Sequence, residues 1–287
     1  MTAVDCMTEN FVRSRLINLI RAKKNLGQNF LTDQEAVRQM IEAVAPREGE
    51  TIIEIGAGHG ALTRRLISSG AQVAAIEFDR DLVPLLVEKF GGYGNFKLIE
   101  ADALAVDFCS IIGPEKKARV VANLPYNIST AILQRLIEHR HCLTEITLIL
   151  QKEVVDRITA PPDSRERGFI SVLVEAYCET EKLFDIAPRS SRPAPKVWSS
   201  VVRLTLRRGV AAAVSDERVL RQVISAAFAQ RRKTILNNLR SAPSPLQETI
   251  SNHGGASMVL CQAEIELQRR AETLTLDEWL RIVRELG

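Results

Sequence analysis

The sequence predicts an α/β fold: a mostly parallel sheet covered by helices on both faces, followed by a small all-α domain. Three observations carry this prediction. Short β-branched runs alternate with helix-period segments over the first half of the chain. A glycine-rich turn joins the first of these runs to the helix behind it. From about Val214 onward only helical periodicity remains.

The elements follow in order. Residues 1–20 contain Asp5 and Glu9 and no continuous apolar stretch, so they read as an extension and not as a signal peptide. Thr32 and Glu35 are spaced as a capping box ahead of Val37, Met40, Ile41 and Val44, which predicts a helix. Thr51 to Ile55 is the first strand, and a helix pattern runs from Gly60 to Ser68. Further strands are expected at Gln72–Ile76, Phe96–Ile99, Arg119–Ala122 and Ile146–Leu150, with helices at Asp79–Phe90 and Ser129–His139 between them. A helix starts near Lys152, a loop covers Ala160–Ser164, and Ile170–Ala176 and Val201–Leu206 read as two more strands. In the last part Ala226, Ala227, Ile235 and Leu239 recur at helical spacing, Pro243 and Pro245 interrupt, and Thr275 with Glu278 forms a second capping box. The expected organisation is an extension 1–20, an α/β domain 21–207 and a helical domain 208–287.

A chain that is 46% hydrophobic and 25% charged suits a globular protein, and a net charge of +3 does not decide for nucleic acid. No stretch approaches the apolar length that crosses a bilayer, so no membrane partner and a cytoplasmic location are expected. The five cysteines are odd in number and none lie at C-x-x-C spacing, and the four histidines are scattered. Reduced thiols are expected, with neither a disulfide framework nor a metal site.

The turn Glu54-Ile55-Gly56-Ala57-Gly58-His59-Gly60 lies at the carboxyl end of the first strand, where open α/β sheets bind ligands. Glycines there let a ligand approach the main chain. Alone, the turn is ambiguous: Gly56, Gly58 and Ala61 also satisfy the G-x-G-x-x-G/A pattern of NAD sites, and a sharp β–α turn without a nucleotide is the lesser alternative. Glu77, ending the second strand, suits ribose hydroxyls in either case. Asp102, after the third strand, can accept a hydrogen bond from an adenine amino group. Acids after both strands form the arrangement of S-adenosylmethionine (SAM) enzymes.

Asn123-Leu124-Pro125-Tyr126 follows the fourth strand, at the same edge. An aromatic amine is a poor nucleophile because its lone pair is delocalised. The Asn123 side-chain oxygen and the Leu124 carbonyl are placed to accept its two hydrogens, Pro125 to fix the turn, and Tyr126 to stack on an extruded base. The sequence-level assignment is therefore a Rossmann-like SAM-dependent methyltransferase domain whose catalytic residues are Asn123, Leu124, Pro125 and Tyr126. Positioning and electrostatics carry the transfer, and no metal is required.

These residues resemble the ribosomal RNA small-subunit adenine dimethyltransferases of the KsgA/RsmA family. Gly27-Gln28-Asn29-Phe30-Leu31 is similar to the family's amino-terminal motif. Gln151 to Val154 resembles the segment after the family's fifth strand, and Arg192 to Val197 and Gln230 to Leu239 are similar to later motifs that set this family apart from other SAM enzymes. The resemblance covers nearly the whole chain after the extension. It implies SAM contacts at Asn29, Leu31, Gly56, Gly58, Glu77, Asp102 and Asn123. It implies a substrate of two adjacent adenosines in the 3′-terminal hairpin loop of 16S rRNA, each converted to N6,N6-dimethyladenosine, with an immature small ribosomal subunit as partner of a monomeric enzyme.

Three positions depart from the family pattern. Ala57 replaces a common proline, Trp198 a usual aspartate, and Ser191 an aromatic residue that helps sandwich the target base. Phe184, Phe169 and Trp198 are candidates for that second face. Between Ile186 and Arg240 basic residues crowd, and Asp216 and Glu217 are the only acids. The consecutive Arg231, Arg232 and Lys233 are the expected RNA-binding cluster. Competing readings are a large-subunit rRNA adenine methylase, a non-catalytic RNA-binding factor and a dehydrogenase. The later motifs, the intact Asn123–Tyr126 set and Asp102 respectively argue against them.

Overall fold

The computed structural model describes residues 22–114, 116–207 and 216–287. The expected extension 1–20 and the first residues of the expected helical domain, 208–215, lie outside them. The described chain falls into two compact units. One comprises the residues up to Lys152 with Leu183–Arg203, and the other Glu153–Lys182 with Leu204–Gly287.

The first unit opens with β1 (Phe30–Leu31) and α1 (Gln34–Val44), and β2 (Thr51–Ile55) and α2 (Ala61–Ser68) follow. Next come β3 (Gln72–Glu77), α3 (Val83–Phe90), β4 (Phe96–Glu100), α4 (Phe108–Ile112), β5 (Ala118–Asn123), α5 (Ser129–Glu138) and β6 (Leu143–Gln151). The sheet runs β4-β3-β2-β5-β6 and continues through β9 (Ser199–Leu206) to β7 (Cys178–Ile186). The pairs from β4 to β6 are all parallel. The chain leaves β2 in one direction toward β4 and returns on its other side through β5. The carboxyl ends of β2 and β5 therefore flank a topological switch point, where such sheets open a crevice.

The apolar spacing read in the sequence accounts for the packing. In α1 the residues Ala36, Val37, Met40 and Val44 are buried, and each large aliphatic side chain contributes roughly 1.5–3 kcal/mol. They join Ile52, Leu62, Leu66 and Val121 in one core. The cap of α1 differs from expectation. Asp33 caps it, accepting a hydrogen bond from the Glu35 N–H, while the Thr32 N–H donates to the Ser190 carbonyl. The Ser190 hydroxyl donates to Asp33, which fixes the cap. Beside it β1 pairs antiparallel with β8 (Ser191–Arg192), Leu31 opposite Ser191.

The second unit contains α6 (Lys152–Ile158), most of which lies in it, and α7 (Phe169–Tyr177). The expected strand at Ile170–Ala176 is this helix. A short apolar run does not separate a buried strand from a helix buried all round, and α7 buries Ile170, Val172, Leu173, Val174 and Ala176 together. The helices α8 (Glu217–Ala227), α9 (Ile235–Arg240), α10 (Leu246–Asn252), α11 (Ala256–Gln262) and α12 (Leu276–Arg284) complete the unit. The Thr275–Glu278 capping box opens α12, as its spacing predicts. Trp279 on α12 is fully buried and its ring stacks on Phe228, centroids 5.9 Å apart. Arg167 is buried and donates to the carbonyls of Ala160 and Leu274 and to Glu175, which neutralises it.

The cysteines correct an expectation. Cys109 and Cys142 form a disulfide, whereas Cys178 and Cys261 are thiols. Motif spacing sees only local pairs. Here Cys109 sits in α4 just before β5, and Cys142 immediately precedes Leu143, which pairs with Ala118 at the start of β5. Parallel pairing of β5 and β6 thus brings together thiols 33 residues apart.

Candidate active site

Four strand ends build the site. β2 delivers Gly56 and Gly58, β3 Glu77, β4 the turn carrying Asp102, and β5 Asn123 to Tyr126. A cavity of about 300 Å³ is bordered by Asn29, Gly56, Gly58, Glu77, Asp102 and Asn123, and also by Leu124 and Pro125. Its size falls at the low end of small-molecule sites. A second cavity adjoins it across Phe30, Gly58 and Asn123 and continues to Arg192 and Pro193. Leu31 faces this second cavity and not the first.

Glu77 is buried and already engaged. Its carboxylate accepts the Gly58 N–H and the Asp79 N–H, each at 2.9 Å. Each oxygen keeps a second lone pair, so a ribose diol can still be held. Burial pushes the Glu77 carboxyl above its ordinary value, against those two N–H donors. Glu54, on β2, is fully buried. Burial raises its carboxyl to about 8, with the Glu77 charge adding to the rise. Asp102 caps its own turn by accepting the Leu104 N–H at 2.9 Å through one oxygen. Its other oxygen can serve an adenine amino group.

Gly58 takes a left-handed conformation at φ +57°, and a Cβ there would lie 3.0 Å from the Phe30 ring. The absence of a side chain lets Phe30 close the wall between the two cavities. Gly27, at φ +64°, makes room in the same way for the Asn127 side chain. That contact brings the amino-terminal motif against the end of the Asn123–Tyr126 segment.

The Asn123 amide nitrogen donates to the Asn29 carbonyl at 2.9 Å. This bond fixes the amide orientation and leaves its oxygen as the acceptor. The Tyr126 hydroxyl pairs with the Ser199 hydroxyl at 2.7 Å, which anchors the ring. Desolvation raises the Tyr126 phenol further above its ordinary value, so it stays neutral. Three participants escape motif reading. Ser199 lies 73 residues from its partner. Phe78 is an exposed aromatic on the cavity rim. Buried Asp79 accepts from Lys23 and Gln28, which ties the amino-terminal motif to β3.

The family model described as ribosomal RNA adenine dimethylase matches residues 19–282. The chain belongs to the ribosomal RNA adenine dimethylase family. It is 41% identical over 262 residues to a protein of Hahella chejuensis named ribosomal RNA small subunit methyltransferase A, covering 91% of this chain and 92% of that one. A Pseudomonas aeruginosa protein of the same name is 41% identical over 267 residues, covering 93% and 95%. Among solved structures, a dimethyladenosine transferase from Plasmodium falciparum shares the fold at a TM-score of 0.73, with 23% identity over 89% of this chain and 96% of that chain. The 23S rRNA methyltransferase ErmE aligns at a TM-score of 0.64 with 25% identity, over 90% and 99% of the two chains. The protein is thus a SAM-dependent rRNA methyltransferase with a Rossmann-like sheet, and no helix among its described residues is long and apolar enough to cross a membrane.

The candidates for the second stacking face differ in exposure. Phe184 packs against the core, whereas Trp198 is exposed and adjoins Ser199, the partner of Tyr126. In the second unit, Arg231, Arg232 and Lys233 are all exposed. Arg231 also donates to the main-chain carbonyls of Arg165 and Arg167. It therefore holds the chain as well as carrying charge.

Proposed function

We propose that the protein transfers methyl groups from SAM to N6 of two adjacent adenosines in the 3′-terminal hairpin loop of 16S rRNA. The products are N6,N6-dimethyladenosines, made within an immature small ribosomal subunit during its biogenesis. The enzyme acts as a cytoplasmic monomer. Residues 21–207 are its methyltransferase domain and 208–287 its rRNA-binding domain, with Arg231, Arg232 and Lys233 on phosphates. The names of its relatives and the family-specific motifs support this reading.

One observation carries the chemistry: the Asn123 amide is held by Asn29 with its oxygen left to accept. SAM supplies a sulfonium-bound methyl group whose leaving group departs neutral. Gly56, Gly58, Glu77 and Asp102 border the cavity that takes its nucleoside, beside Asn29 and Asn123. In the first transfer the Asn123 oxygen and Leu124 carbonyl accept the two hydrogens of the adenine amine, and in the second one of them accepts the single hydrogen that remains. That interaction favours a tetrahedral nitrogen and aims its lone pair at the methyl group. Tyr126 stacks on one face of the base and Trp198 on the other. One N–H proton is released per transfer, and neither a metal nor a dedicated base is needed.

The decisive experiment is mass spectrometry of rRNA after incubation with SAM and undermethylated small subunits. Dimethyladenosine at two adjacent positions is expected. Methylation of large-subunit rRNA alone would replace this reading with the resistance-methylase one.

A further inference from the structure

Away from the cofactor cavity, Cys109, His141 and Cys142 bring three donor atoms within 4.8 Å of one another. Local structure explains the meeting. Asp107 caps α4 by accepting the N–H groups of Cys109 and Ser110, which sets Cys109 in the first turn. After α5, a short 3-10 turn at Arg140–Cys142 reverses the chain into β6 and presents His141 and Cys142 in succession. The His141 Nε2 lies 3.1 Å from the Cys109 sulfur. Cys142 is buried and His141 exposed, so the cluster has a packed floor and an open side.

We propose that in its dithiol form this cluster is a binding site for a divalent zinc-type ion, held by two thiolates and one imidazole with solvent in the fourth position. A disulfide needs no imidazole beside it, and a borderline-soft tetrahedral ion takes this donor set. With metal–sulfur bonds of about 2.3 Å, the two sulfurs of a tetrahedral site stand about 3.8 Å apart. Opening the S–S bond is thus the main adjustment required. A dithiol or phosphine reductant supplies two electrons, and with two protons the disulfide becomes two thiols. The ion then displaces both thiol protons, and two thiolates balance its charge. The site sits where α4 leaves the Asp102 turn, in which the N–H groups of Ala105 and Val106 donate to the Asp102 carbonyl. A bound ion steadies the far end of that turn without touching SAM.

The test uses the full chain, reduced with a phosphine, freed of reductant without air and titrated with Co²⁺. One equivalent is expected to produce a thiolate-to-cobalt charge-transfer band and the visible bands of a tetrahedral ion. His141→Ala and Cys142→Ser should each weaken Co²⁺ binding by at least about tenfold, the lower end of what loss of an outer-shell partner costs. Cys6→Ser and Cys261→Ser should leave it unchanged. His141 is exposed, so His141→Ala decides the matter even if Cys142→Ser fails to fold. Absence of the bands in the reduced protein, a disulfide that resists the phosphine, or bands that survive His141→Ala at full affinity would each overturn the proposal.

Discussion

The Asn123 side-chain amide donates to the Asn29 main-chain carbonyl, 2.9 Å away across 94 residues of sequence. This bond turns a residue with two interchangeable ends into an acceptor of fixed direction. Asn123→Ala removes the acceptor and should lower turnover by about 10²–10³, as loss of one oriented polar group does elsewhere. Asn123→Asp keeps an acceptor but loses the donor that Asn29 holds, so it should not restore activity. Single-turnover methylation of small subunits, with SAM affinity measured separately, checks both.

Tyr126 separates anchoring from stacking. Tyr126→Phe loses only the bond to Ser199, worth roughly 0.5–1.5 kcal/mol, so turnover should fall about two- to twelvefold. Tyr126→Ala also loses the stacking face, worth roughly 1–3 kcal/mol, and should fall considerably further. Equal losses in the two variants would remove the ring from the mechanism.

Glu54 predicts a pH dependence of stability. Its carboxyl titrates near 8 in the folded chain against an ordinary 4.5. Between those values the folded state keeps a proton that the unfolded state has released. Stability is therefore full below 4.5 and declines as pH rises toward about 8. The slope contributed is about 1.4 kcal/mol per pH unit. Glu54→Gln should flatten it, as read from denaturant midpoints of the SAM-free protein across that window.

At Gly58, an alanine meets both a left-handed backbone and the Phe30 ring. Gly58→Ala should cost about 1–2 kcal/mol through the backbone alone. Because Phe30 borders the cavity, SAM affinity should fall by about tenfold or more, equivalent to about 1.4 kcal/mol. Calorimetric titration with SAM and a thermal melt separate the two effects.

The three consecutive cations should behave differently. Charge removal at Arg232 or Lys233 should reduce the salt dependence of subunit binding by roughly 0.7–0.9 log units per log unit of salt for each phosphate that is no longer neutralised. Arg231→Ala should in addition lower thermal stability, because its guanidinium serves the carbonyls of Arg165 and Arg167. An unchanged salt slope in the Arg232 and Lys233 variants would place the RNA elsewhere.

Most of the sheet was legible because four of its five parallel strands, β2 to β5, are short apolar runs that end at a glycine, an acid or an asparagine. The observed strands at Thr51–Ile55, Gln72–Glu77 and Phe96–Glu100 follow those runs closely. Misreadings arose where local pattern was ambiguous. The helix at Phe169–Tyr177 is apolar apart from Ser171 and Glu175, and the strand Cys178–Ile186 lies at the sheet edge with Glu179, Glu181 and Lys182 in its sequence. The site was legible residue by residue but not as a set of contacts. Ser199 beneath Tyr126, Asn29 on Asn123 and Cys109 beside Cys142 are consequences of tertiary structure that sequence spacing does not encode.

The small ladder between β1 and β8 has a further consequence. Phe30 and Leu31 are paired to Arg192 and Ser191, while the carbonyl just before them is held by Asn123. The segment from Arg192 toward the exposed Trp198 is thereby fastened to a wall of the cavity proposed for SAM. A ligand that shifts residues 192–198 also shifts that wall, and one that orders the wall restrains the segment. Whatever factor rRNA contributes to SAM affinity through this ladder, SAM must return to rRNA affinity, because linkage between two sites is reciprocal.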